Sequence, residues 1–131
     1  MRLLSAKGVI PKKGEFMSDI EKLIASYEGI EKLLYTDPGN PYESIYIRAK
    51  VSDGMLVVTD SECEHGPDGG WTFRTLSFDK PASEKVFIML LEINPDPFRA
   101  MAGLFNYNDR TQVFREMCDK RGIEYKDTLS F

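Results

Sequence analysis

Ile45-Tyr46-Ile47-Arg48-Ala49-Lys50-Val51-Ser52-Asp53-Gly54-Met55-Leu56-Val57-Val58 is the stretch that decides the fold. Apolar Ile45, Ile47, Ala49 and Val51 alternate with Tyr46, Arg48 and Lys50. That two-residue period belongs to a strand with one buried face. Ser52-Asp53-Gly54 supplies turn chemistry, and Met55–Val58 is apolar and β-prone. The pattern predicts a β-hairpin over 44–58. After an exposed connection over 59–70, rich in Gly66, Pro67, Gly69 and Gly70, residues 71–78 alternate aromatic and polar side chains and predict a further strand. Together these make a three-stranded antiparallel meander.

Helices are predicted on either side of it. Ser18 can cap a helix whose Glu21 reaches back, and Ile20, Leu23, Ile24 and Tyr27 form one apolar stripe ended by Gly29, giving a helix over 18–28. Residues 30–36 suit a short helix or a strand, and Asp37-Pro38-Gly39-Asn40-Pro41 is a loop. The apolar run Val86–Leu91, inside the segment 86–93, fits a buried strand, but Pro81 and Pro95 bracket a helix of normal length and tip the choice to helix. Asn94-Pro95-Asp96 opens a helix over 95–105. Asn108 or Asp109 caps another over 109–121, and residues 123–125 can return as a strand. The fold class is α+β, a small antiparallel sheet flanked by helices.

Length and composition agree with one domain over 17–131 preceded by a basic arm over 1–16. A chain of 131 residues, 42% hydrophobic and 29% charged, has enough apolar material for its own core. The longest apolar run is six residues, far short of the roughly 20 a membrane helix needs. Cys63 and Cys118 stand in no paired spacing, which suits free thiols and a cytoplasmic location. Arg2, Lys7, Lys12 and Lys13 face only Glu15 in the arm, so a net charge of −4 leaves −7 on the remainder. An acidic body argues against nucleic-acid binding through a broad basic surface and leaves room for a local basic strip.

Chemistry-bearing groups are few. There is one histidine, and no Gly-x-Ser-x-Gly, His-Glu-x-x-His or phosphate-loop pattern, so no catalytic residue is assigned and the chain is read as leaning away from an enzyme. Residues 52–73 contain no lysine or arginine and gather Asp53, Asp60, Glu62, Glu64 and Asp68. Asp60, Glu62 and Glu64 alternate as at the opening of a calcium loop, but His65 and Trp71 stand where such a loop needs glycine and glutamate. Cys63 with His65 offers too few ligands for zinc. No metal or other cofactor is expected.

Three functions are compatible with these residues. The first is a non-enzymatic protein-binding module, of an inhibitor or immunity type, that presents Asp53, Asp60, Glu62, Glu64 and Asp68 with Trp71 to a basic partner surface. The second is single-stranded nucleic-acid binding through Tyr46, Arg48, Lys50 and Arg74 beside Trp71, where aromatics stack bases and cations meet phosphates. The third is a small metal-dependent enzyme centred on Asp60, Glu62, Glu64 and His65. Each has a bland counterpart. The acidic stretch is then a solvated loop and the strand aromatics are core.

Overall fold

The structure, a computed structural model, describes residues 18–37 and 43–131. The basic arm over 1–16 lies outside the described residues. The chain runs α1 (Asp19–Ser26), β1 (Glu31–Asp37), β2 (Glu43–Ser52), β3 (Met55–Glu64), β4 (Trp71–Ser77), α2 (Lys80–Leu91), α3 (Pro97–Ala102), α4 (Gln112–Lys120) and β5 (Lys126–Ser130). The fold is α+β, with the strands in one antiparallel sheet of order β1-β2-β3-β4-β5.

The hairpin forms as its alternation predicts. Asp53 and Gly54 both take positive φ, 54° and 74°, as a two-residue turn requires. Their amide N–H groups donate to the two carboxylate oxygens of Glu28, at 2.7 and 3.0 Å, tying the turn to the segment after α1. Three expectations need correction. β3 does not stop at Val58 but continues through Thr59–Glu64, so residues that read as an exposed connection are paired on both sides. Among the described residues the sheet has five strands rather than three, because 31–37 is a strand and the C-terminal segment adds β5 at 126–130 instead of 123–125. The helices over 95–105 and 109–121 are shorter, Pro97–Ala102 capped by Asp96 and Gln112–Lys120 behind Thr111. The segment 86–93 is helical through Leu91, within α2, whose N-cap is Asp79.

The helices of the described residues all lie on one side of the sheet. Ile45, Ile47, Ala49 and Val51 of β2, Leu56 and Val58 of β3 and Leu76 of β4 point into a core shared with Phe87 and Leu90 of α2, Phe98 and Met101 of α3 and Phe114 of α4. Ser83 fastens α2 to the sheet: its hydroxyl accepts from the Leu56 N–H at 2.8 Å and donates to the Phe78 carbonyl at 3.2 Å. With both bonds made, this buried hydroxyl carries little desolvation cost. The opposite face of the sheet meets no helix among the described residues.

Candidate functional site

Strand parity sorts the candidate residues onto two faces. Across the open face, the register sets Tyr46, Ser61, Phe73 and Ser130 in one row; Leu33, Arg48, Thr59, Thr75 and Thr128 in the next; and Glu31, Lys50, Val57, Ser77 and Lys126 in a third. Trp71 stands opposite Cys63 at the end beyond the first row. Rows lie about 6.7 Å apart, two residues of strand rise.

Aromatic side chains gather at one end of this face. Trp71 and Phe73 stack with ring centroids 5.8 Å apart and planes 12° from parallel. Tyr46 lies 6.1 Å from Trp71 with a 34° tilt, and the Arg48 guanidinium carbon sits 5.3 Å from the Tyr46 ring centre. Small Ser61 lies between them in the register, 2% exposed, and its hydroxyl donates to the Tyr46 carbonyl. Trp71 keeps 47% of its surface exposed and Phe73 37%. A single exposed ring is ordinary, whereas a contiguous row of them on a sheet face is the kind of patch that marks binding. The formal charges on the three rows are Arg48, Lys50 and Lys126 against Glu31.

The acidic residues lie elsewhere. Asp60 and Glu62 share the helix-covered face with Leu56 and Val58, and Asp60 is 5% exposed. Arg110, in the connection between α3 and α4, reaches across to both. Its Nε donates to the two Asp60 oxygens at 3.0 and 3.1 Å, its Nη2 also bonds Asp60, and its Nη1 meets Glu62 at 2.6 Å. Burial pulls the Arg110 pKa down, but the hydrogen bonds and charges of Asp60 and Glu62 outweigh it and hold the guanidinium firmly protonated. Beside this cluster is an open cavity of about 320 Å³ whose lining includes Arg74, Arg115 and Asp109. Arg74, expected with the nucleic-acid set, is on this covered face, paired with Asp127 at 3.4 Å. It does not join Tyr46, Arg48, Lys50 and Trp71.

Asp53 is in the hairpin turn at the opposite end of β3 from Glu64. Glu64 and Asp68 are exposed around the β3–β4 loop, next to Trp71. That loop is drawn tight: the Glu64 N–H donates to the Gly70 carbonyl at 3.0 Å, and a β-carbon on Gly69 would stand 2.0 Å from the Glu64 carbonyl oxygen. His65 Nε2 is 2.8 Å from the Ser44 hydroxyl, which secures the loop to the start of β2. The expected acidic contact surface is therefore divided. Glu64 and Asp68 flank the aromatic end, while Asp60 and Glu62 are engaged by Arg110 on the covered face.

Burial pushes the Cys118 thiol up to about 12, so it stays protonated and unreactive at neutral pH. Among the described residues, no three of His, Cys, Asp and Glu are grouped to hold a metal ion, and no helix is long and apolar enough to cross a membrane. Comparison with family models, curated proteins and solved structures finds no match to this chain.

Proposed function

We propose that the protein is a non-enzymatic binding module that takes an anionic, flat-surfaced ligand on the open face of its sheet, with Trp71 as anchor. The observation that carries this is the exposed Trp71–Phe73 stack with Tyr46 and Arg48 beside it. Trp, Tyr and Arg are the side chains that most often dominate binding energy, because each offers a large contact area with a polar or charged handle. A rigid strand scaffold holds them in place before any ligand arrives, which lowers the ordering cost of binding.

A second reading keeps the protein partner with a basic surface. Exposed Glu64 and Asp68 beside Trp71 support it, since a charged rim around an aromatic anchor is common at protein interfaces. Affinity capture from a lysate separates the two. The open-face reading expects the double variant Trp71→Ala/Arg48→Glu to lose whatever the native chain retains, and Glu64→Lys/Asp68→Lys to keep it. The reverse pattern would move the contact to the acidic loop.

A further inference from the structure

We infer that the ligand of the open face is a single-stranded nucleic acid, an inference that rests on the binding-module reading above. The face combines the two groups such a strand needs, planar rings for bases and cations for phosphates. Trp71, Phe73 and Tyr46 form the stacking end. Arg48 lies one row further along β2, and Lys50 with Lys126 one row beyond that. The step from rings to cations is thus about 7 to 13 Å along the strands.

Charge sorting supports the polarity of the ligand. The body of the chain is acidic, but strand parity places Asp60 and Glu62 on the other face, and Arg110 pairs with both and offsets one of their two charges. Asp127 also sits on that other face, against Arg74. Within the three open rows Glu31 alone opposes Arg48, Lys50 and Lys126. Exposed Glu64 and Asp68 flank the far side of the rings, so the favourable strip for a polyanion runs from the rings towards Arg48, Lys50 and Lys126 and not towards the β3–β4 loop. A duplex is a poorer fit, because its bases are stacked on one another and unavailable to the rings.

Fluorescence anisotropy with a dye-labelled 15-nucleotide oligouridylate at low salt tests this. The native chain should bind it and bind the matching duplex more weakly. Affinity should fall with salt with a log–log slope no steeper than about −2, given roughly 0.7 counterions released per phosphate contact and three cations. Trp71→Ala should weaken binding roughly tenfold or more, as loss of a stacking platform does. Arg48→Glu/Lys50→Glu should do the same and flatten the salt slope. Glu116→Ala on α4 should change nothing, and circular dichroism should show each variant folded. Absence of oligouridylate binding, or binding equally strong in the Trp71→Ala variant, overturns the inference. If oligouridylate fails while Trp71→Ala still loses a captured protein, the nucleic-acid assignment falls and the open-face seat stands. If Trp71→Ala loses neither, both fall.

Discussion

Arg110 holds a positive φ of 57°, a conformation costing a non-glycine residue about 1–2 kcal/mol. It is kept there by the carboxylates of Asp60 and Glu62, whose negative charge on the covered face needs a counterion. Replacing it by methionine preserves much of the bulk but leaves Asp60 buried and unpaired. Arg110→Met should therefore lower unfolding free energy by about 3 kcal/mol in urea melts. Adding Asp60→Asn to that variant should restore part of the loss, because the stranded charge is then gone. At this scale much of the site was legible by counting. Asp60 and Glu62 have the parity of Leu56 and Val58, so a strand running past Val58 must carry them on the core side. Arg74 has the opposite parity to Trp71 and Phe73, which separates it from the aromatic face. Their partner was not legible, since Arg110 is fifty residues from Asp60 and no local pattern links the two.

Among the elements, α2 decides how the helical layer sits. Ser83→Ala removes the acceptor of the buried Leu56 N–H and should cost about 1–3 kcal/mol, read as a lower melting temperature with little change in helix content. Glu84 on the same helix carries a pKa raised above the ordinary 4.5, first by desolvation and then by the charge of Glu21 on α1. A carboxyl with a raised native pKa binds its proton more tightly in the native than in the unfolded chain, so native stability falls as pH rises through that window. Glu84→Gln removes this dependence. The variant should gain on the native chain as pH is raised from about 4.5 to neutrality, and the gain should vanish in acid. The hairpin could be read from its period and turn, and α1 from its capping box. The later part of β3 and all of β5 could not, because Thr59–Glu64 and Lys126–Ser130 are polar sequences. Their strand state comes from pairing with neighbours, not from their own periodicity.

Across the whole molecule, one side of the sheet is filled by helices and the other carries the rings and cations. Asp60, Glu62 and Glu64 share one parity, so β3 carries all three on the side of the helices, where Arg110 bonds the first two and Glu64 stays exposed at the strand end. Tyr46, Arg48, Lys50 and Trp71 do share a face, and on it the proposed binding surface rests. Trp71 is the sole tryptophan, so one indole N–H resonance reports on this surface in a two-dimensional ¹H–¹⁵N spectrum. The decisive measurement is that spectrum during a titration with the single-stranded oligouridylate. Binding on the open face should shift the Trp71 indole signal progressively together with backbone signals of 46–48 and 71–75, with Arg110 and α4 unmoved. An indole signal that stays in place, with shifts confined to 64–70 or to the Arg110 cavity or absent altogether, would contradict it.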